Sequence, residues 1–327
     1  MGTAAEPQQS RPDPLLYSHP LPLVQTFYPF GRAVELATDS TEIAEAAATI
    51  WSRYPKLSDR PAVRLRIAVS PHDAAAPVVA SMPRGQEHLV SLVHGPENFA
   101  VADLARCFAF ACLTRDVARD RPYCIYHFLE PLAYLLLSAN GLTVLHAACV
   151  ALHGRAVLLS GDSGAGKTCL SYACARRGWT FLSGDALQFA RDEPHGMVIG
   201  RPFSLRFRAS ARALFPELGP YEAGHRLNGK LDIEPPIDDL KIAIALQARA
   251  THIVFLARSP GARPPALRPV PAREAFRRLE NVFFFGDDQL RSEQKTALYR
   301  FMQPLASLEM AYTDLGEAES ALRALVT

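Results

Sequence analysis

The stretch GDSGAGKTCL, from Gly161 to Leu170, decides the fold of this chain. It satisfies the pattern G-x-x-x-x-G-K-[ST] of nucleotide-binding loops, with Gly166, Lys167 and Thr168 in the required places. Glycines allow successive backbone N–H groups to surround a phosphate, and the lysine adds a positive charge for the β- and γ-phosphates. A threonine hydroxyl at this position is a ligand for Mg²⁺. The stretch therefore predicts a loop that binds ATP and Mg²⁺.

The residues on either side of the loop support this prediction. RAVLLS (155–160) is a short apolar run, typical of a buried strand. KTCLSYACARR (167–177) has the pattern of a helix, with cationic residues near its end and Gly178 just after it. The positive end of such a helix points at the bound anion. We expect eight residues to contact the nucleotide: Gly161, Asp162, Ser163, Gly164, Ala165, Gly166, Lys167 and Thr168.

Composition limits the classes of protein to consider. Hydrophobic residues make up 49% of the 327 residues, enough for a substantial core in one large domain or two of ordinary size. The net charge of +2 is too balanced to favour a nucleic-acid or membrane surface. The first residues lack the apolar segment of a signal peptide, and the apolar stretch 129–152 is interrupted by polar residues and a proline. Six cysteines without metal-binding spacing suggest free thiols, so we expect a cytoplasmic protein.

Three segments are expected along the chain. Residues 1–16 are polar and rich in proline, as in a disordered tail. Residues 17–140 predict a smaller α+β module, which includes an amphipathic helix at 41–54 capped by Thr41 and an apolar helix at 99–118. Residues 141–327 predict an α/β domain with mixed sheets. Its predicted strands are 142–152, 155–160, 179–185, 187–192, 197–208, 251–258 and 281–287, and its later predicted helices are 211–218, 289–302 and 315–326.

A family resemblance extends from His146 to Asp185. This segment resembles the catalytic domain of HPr kinase/phosphorylase and its relatives, serine kinases with a nucleotide-binding loop that are structurally related to phosphoenolpyruvate carboxykinase. Three anchors carry the resemblance: the sequence GDSGAGKT, a histidine fifteen residues before Gly161, and an acidic residue twenty-four residues after it. Some related proteins occur in peptide-modification gene clusters and phosphorylate a serine of a precursor peptide.

The resemblance implies an ATP-dependent kinase, possible assembly into a homo-oligomer, and a role for each anchor. Lys167 would hold the β- and γ-phosphates, and Thr168 would bind the metal. Asp185 would accept the proton of the attacking hydroxyl or, like other aspartates beside such loops, bind Mg²⁺. His146 would orient Asp185 or a phosphate, although a lone histidine in an apolar strand is more often a core residue. The acceptor would be a hydroxyl of a peptide, a protein or a small molecule.

Two departures from the family pattern leave an alternative open. The family usually has two adjacent aspartates where this chain has Gly184 and Asp185, and it has a Glu-x-Arg-Gly segment that is not matched near Arg201. Fewer acidic ligands weaken Mg²⁺ binding, so a catalytically impaired nucleotide-binding regulatory protein is the alternative. Hydrolysis of the nucleotide alone is a weaker third possibility.

Several cations after the loop could bind the triphosphate or an acidic peptide, or form a solvated basic edge. They are Arg201, Arg206, Arg208 and Arg212. Two of them, Arg206 and Arg208, share one face if the segment is a strand. Lys230 follows a predicted Asn-Gly turn and could neutralise the transferring phosphoryl group, or it could be an ordinary loop lysine.

Overall fold

The chain forms two compact units, which we call unit 1 (Met1–Leu136) and unit 2 (Leu137–Thr327). The computed structural model describes residues 19–71, 73, 83–192, 196–225, 231–259, 265–280 and 287–327. The predicted tail, Lys230 and most of the strand predicted at 281–287 lie outside these residues.

Unit 1 is built on a seven-stranded mixed sheet in the order β1-β2-β3-β7-β6-β5-β4. Its strands are β1 (Leu23–Phe27), β2 (Val34–Thr38), β3 (Val63–Ser70), β4 (Arg84–Gln86), β5 (Leu89–Val93), β6 (Phe99–Asp103) and β7 (Phe108–Thr114). Strands β2, β3 and β7 are parallel to one another, and the remaining neighbours are antiparallel.

The prediction of an apolar helix at 99–118 is wrong, because most of this segment forms the β6–β7 hairpin. Burial alternates along both strands: Ala100 and Ala102 are buried on β6, as are Ala109 and Ala111 on β7. This period of two is that of a strand with one face on a core. A helix begins only after Thr114, which caps it.

The helices of unit 1 are α1 (Thr41–Trp51), α2 (Arg115–Arg119) and α3 (Arg121–Cys124), with a π-helical turn at Ile125–Leu129. Helix α4 (Glu130–Ala139) begins in unit 1 and ends after its last residue, Leu136. Helix α1 is capped by Ser40, whose hydroxyl accepts the backbone N–H of Ile43, and not by Thr41 as predicted. Ser40 has the extended backbone of a cap residue, and Thr41 is the first residue of the helix itself.

Unit 2 contains a nine-stranded mixed sheet with the central order β11-β9-β10-β17-β13-β12-β8, in which β19 also pairs with β17 and β18 pairs with β19. Its strands are β8 (Leu142–Leu145), β9 (Ala148–Leu152), β10 (Arg155–Ser160), β11 (Thr180–Ser183), β12 (Leu187–Ala190), β13 (Met197–Ile199), β17 (Gln247–Arg258), β18 (Ala266–Pro269) and β19 (Ala306–Tyr312). Strands β10, β17 and β19 are parallel, so their carboxyl ends lie along one edge. The glycine loop follows β10 at this edge.

Helices cover both faces of this sheet. They are α5 (Lys167–Arg176), α6 (Ala272–Glu280), α7 (Asp288–Met302) and α8 (Leu315–Val326). Val157 and Leu159 of β10 pack with α5 and α8, whereas the alternate residue Leu158 packs with α6 and α7. Both core faces come from one strand because successive side chains point to opposite sides. Among the described residues, no helix is long and apolar enough to span a bilayer.

A small three-stranded sheet lies between β13 and β17 in the chain, in the order β14-β16-β15. Its strands are β14 (Phe207–Arg208), β15 (Gly224–His225) and β16 (Leu231–Ile233). The continuous strand predicted at 197–208 is therefore split, and the helix predicted at 211–218 is replaced by 3-10 turns at Ala209–Ala213 and Pro216–Leu218. Phe207 fixes the small sheet on α5 through an edge-to-face contact with Tyr172, whose ring centroid is 5.1 Å away.

Candidate active site

The glycine loop joins the carboxyl end of β10 to the first turn of α5, as its flanking residues predict. Gly161, Gly164 and Gly166 have φ values of 147°, 95° and 93°, in the left-handed region that favours glycine. A Cβ atom on Gly161 would lie 2.9 Å from the carbonyl oxygen of Leu256 on the neighbouring strand. The loop thus turns tightly against β17 and leads the chain directly into a helix N-terminus, the arrangement that binds anions.

Tyr312, at the end of β19, supports the loop from behind. Its hydroxyl donates a 2.7 Å hydrogen bond to the carbonyl oxygen of Ala165, and a Cβ atom on Gly166 would meet the same hydroxyl. Burial raises the pKa of Tyr312 to about 12, although nearby Arg258 opposes the shift. The phenol therefore remains a donor at neutral pH. No strand is predicted around Tyr312, so sequence reasoning missed this contact.

Lys167 is nearly enclosed by the loop that it follows. Lys167 is only 7% exposed. Its ammonium group donates to the carbonyl oxygens of Gly161 at 2.6 Å and Asp162 at 3.3 Å. Burial lowers the pKa of Lys167, the carboxylates of Asp185 and Asp162 oppose this, and Arg208 adds to it. Both Asp185 and Arg208 therefore contribute to the electrostatic environment of the ammonium group.

His146 and Asp185 meet at a gap between two strand ladders. Strand β8 pairs with β12 and β9 pairs with β11, both antiparallel, so residues 146–147 and 184–186 lie opposite each other where the pairing is interrupted. The Nδ1 atom of His146 is 3.4 Å from Oδ1 of Asp185. The side chain of His146 is 53% exposed, which rules out the alternative of a core histidine.

Thr168 reaches the same turn from the first turn of α5. Its hydroxyl donates a 3.2 Å hydrogen bond to the carbonyl oxygen of Gly184, next to Asp185. A hydroxyl and a carboxylate fit Mg²⁺, which takes oxygen ligands and usually completes its shell with water and phosphate oxygens. The described residues contain no group of three or more His, Cys, Asp or Glu side chains that could hold a metal ion.

The structure separates the four arginines that follow the loop. Arg208 donates a 2.8 Å hydrogen bond to the hydroxyl of Ser163 in the loop. Arg206 instead forms a 2.8 Å ion pair with Glu234, which also accepts from Ser204. Arg212 donates to the backbone carbonyl oxygen of Tyr221.

Arg201 acts on the same glutamate. Burial alone would raise the pKa of Glu234, but Arg206, the hydroxyl of Ser204 and Arg201 together lower it. Arg208 thus differs from Arg206 in that its partner, Ser163, belongs to the loop.

The predicted site residues therefore lie around one edge of the unit 2 sheet. The loop residues, Lys167, Thr168, His146 and Asp185 all lie around the start of α5. Sequence reasoning missed Tyr312 and Glu234, which contact Ala165 and Arg206. These partners are distant in sequence, and no local pattern indicates them.

Comparisons with known proteins give a distant likeness. No family model matches the chain, and no curated protein matches it. Among solved structures, the Hpr(Ser) kinase/phosphatase from Coxiella burnetii is similar over 55% of this chain and 88% of its own, with 12% sequence identity and a TM-score of 0.32. At this TM-score the similarity does not establish a shared fold. We therefore infer function from the side chains of the site.

Proposed function

We propose that unit 2 is an ATP-dependent kinase that transfers the γ-phosphoryl group to a hydroxyl of a peptide, a protein or a small molecule. The observation that carries the proposal is the meeting of the His146–Asp185 pair with Lys167 and Thr168 at the glycine loop. A loop alone would support nucleotide binding. An exposed carboxylate beside it adds a group that can act on a second substrate.

Phosphate binding would use the loop and its lysine. The loop N–H groups and the helix N-terminus supply donors, and the ammonium group of Lys167 would exchange its two carbonyl partners for phosphate oxygens. Because burial lowers the pKa of Lys167, a phosphate facing it would stabilise the charged form. Mg²⁺, held by Thr168 and the Asp185 turn, would supply charge neutralisation at the phosphates.

The transfer step would place the acceptor hydroxyl next to Asp185. The hydroxyl oxygen forms a bond to the γ-phosphorus while the bond from that phosphorus to the ADP oxygen breaks. The acceptor proton passes to the Asp185 carboxylate, and His146 at 3.4 Å holds that carboxylate in place. If Asp185 instead binds the metal, the neighbouring imidazole is the group within reach of the proton.

A second candidate, a nucleotide-binding regulatory protein, is favoured by one observation. Gly184 replaces the first aspartate of the family pattern, and the buried side chain of Leu205 fills the adjacent space. A site with one carboxylate has fewer ligands for Mg²⁺ and less charge to organise transfer. Such a protein would bind ATP and transfer nothing.

The test uses γ-labelled Mg-ATP with arrayed serine, threonine and tyrosine peptides, and an alanine-substituted array as the blank. We expect label on a hydroxyl peptide. Asp185→Asn should lower the transfer rate by about 10²–10⁴-fold while nucleotide affinity stays within a few-fold of wild type, since a proton acceptor acts in the transition state. His146→Gln should cause a smaller loss if the histidine positions Asp185.

Three outcomes separate the alternatives. ATP binding with no transfer to the peptides, to the protein itself or to water supports the regulatory protein. Release of labelled phosphate to water alone supports a nucleotide hydrolase. If Lys167→Ala binds ATP with wild-type affinity, the loop is not the nucleotide site, and both candidate functions are contradicted.

A further inference from the structure

Two arginines on either side of Phe207, Arg206 just before β14 and Arg208 within it, have different partners. Arg206 and Arg208 flank the buried Phe207, so both lie on the face opposite the core. Arg206 is neutralised by Glu234 at 2.8 Å. Arg208 forms no ion pair with any described residue: its guanidinium bonds to Ser163, although Asp232 lies opposite it in register.

The position of Arg208 is fixed by the core beneath it. Phe207 packs edge-to-face against Tyr172 on α5, the helix that begins at Lys167. The strand that carries Arg208 is thereby attached to the helix that follows the loop. Such support holds a functional side chain in place without an entropic cost at the moment of binding.

The electrostatics of the loop indicate what Arg208 meets there. Arg208 donates to the hydroxyl of Ser163, and the ammonium group of Lys167 donates to the carbonyl oxygens of Gly161 and Asp162, so two cations contact the same loop. Like charges repel, and an anion between them would relieve the repulsion. In loops of this pattern the lysine contacts the β- and γ-phosphates, so the anion near Arg208 belongs to the outer end of the triphosphate.

We propose that Arg208 binds the outer phosphates of the nucleotide and neutralises the charge that develops as the phosphoryl group leaves. This rests on the proposed function, since it requires a nucleotide at the loop. Arginine suits the role because its planar fork forms paired hydrogen bonds to phosphate oxygens. A second cation would also add charge neutralisation at a site where a single carboxylate, Asp185, is available to a metal ion.

The test compares Arg208→Gln with Arg206→Gln in the full chain. Both variants remove one guanidinium next to Phe207, and Arg206 is already paired with Glu234, so it is the matched control. The affinities of Mg-ATP, Mg-ADP and AMP are measured by calorimetry. We expect Arg208→Gln to lower the affinity for ATP by about ten- to a hundredfold, because a charge-assisted bond to the outer phosphates is lost. The affinity for ADP should fall less, and the affinity for AMP should hardly change.

The control should bind all three nucleotides as wild type does. Arg208→Lys should recover part of the loss, because it restores the charge without the fork. Equal affinities of ATP for Arg208→Gln and wild type would overturn the proposal and leave the Ser163 contact as a surface contact. If the wild-type chain itself does not bind ATP, the proposed function fails first. A thermal melt of each variant shows whether a loss reflects unfolding.

Discussion

Gly184 shows how one residue can be set by packing and not by chemistry. A Cβ atom there would lie 2.8 Å from the Cδ1 atom of Leu205, which is 1% exposed. The carbonyl of Gly184 also accepts the hydroxyl of Thr168. An aspartate at this position would therefore require the end of the buried Leu205 side chain to shift.

We therefore expect Gly184→Asp alone to destabilise the protein by about 1–3 kcal/mol, the range for overpacking in a core. Leu205→Ala removes the clash, so the double variant should be more stable than the sum of the single effects by more than about 0.5 kcal/mol. Denaturant unfolding of the four proteins in the cycle measures this coupling. Purely additive effects would show that Leu205 does not exclude a side chain at position 184.

At the scale of elements, the sequence predicts best where the pattern is local. The strand at 155–160, the glycine loop and α5 follow from about twenty consecutive residues, because strand, turn and helix each have a local signal there. The β6–β7 hairpin was mistaken for a helix, because alanine, leucine and phenylalanine fit both periods in a short apolar run. The contacts of Arg208 and Tyr312 depend on strands that pair across long stretches of chain, which one sequence does not reveal.

Helix α8 is joined to the end of α5 by a buried glutamate. Glu319 is 3% exposed and accepts the indole N–H of Trp179 at 2.8 Å and the guanidinium of Arg177 at 3.0 Å. It also pairs with Arg323 one turn later. Burial alone would raise the pKa of Glu319, but these three donors outweigh it and lower the pKa.

A lowered carboxylate pKa stabilises the fold at pH values above the unfolded pKa of 4.5, and this stabilisation is lost as the pH falls through the folded value. We expect Glu319→Gln to lower the free energy of unfolding by about 1–3 kcal/mol at pH 7, because a charged acceptor is lost. The difference from wild type should shrink below pH 4.5. Denaturant unfolding at a series of pH values measures both effects.

Glu45→Gln is the control, since Glu45 pairs with Arg121 on the surface. Surface pairs contribute about 0–1 kcal/mol. A loss for Glu319→Gln no larger than this would contradict a role for the buried network in holding α8.

At the scale of the whole molecule, the two units carry different titratable groups. In unit 1, His94 bonds to Tyr123 at 2.8 Å, and its ring centroid is 4.7 Å from that of His127. Burial lowers the pKa of His94, and burial together with His94 lowers the pKa of His127 to about 4, against a small opposing effect of Asp120. In unit 2, burial followed by Arg155 lowers the pKa of His252.

These shifts give unit 1 the stronger response to mild acid. Between the unfolded pKa of 6.5 and the folded values, the unfolded chain binds more protons, so stability falls as the pH drops. In unit 1 two histidines in contact have a lowered pKa, whereas in the described part of unit 2 one histidine does. We expect amide exchange, corrected for its intrinsic pH dependence, to accelerate more in unit 1 than in unit 2 from pH 7 to pH 5.

Nucleotide should act on the other unit, and the same experiment tests both effects. Mg-ATP at about one hundred times its Kd should stabilise the structure that binds it by about 2.7 kcal/mol. Because the glycine loop, Asp185 and Arg208 all lie in unit 2, amide exchange should slow at residues 161–168 and 184–186 and in β14. His127→Phe should reduce the acid response of unit 1 and leave the ATP protection of unit 2 unchanged. If ATP instead slows amide exchange mainly in unit 1, the nucleotide binds away from the loop and the proposed function is contradicted.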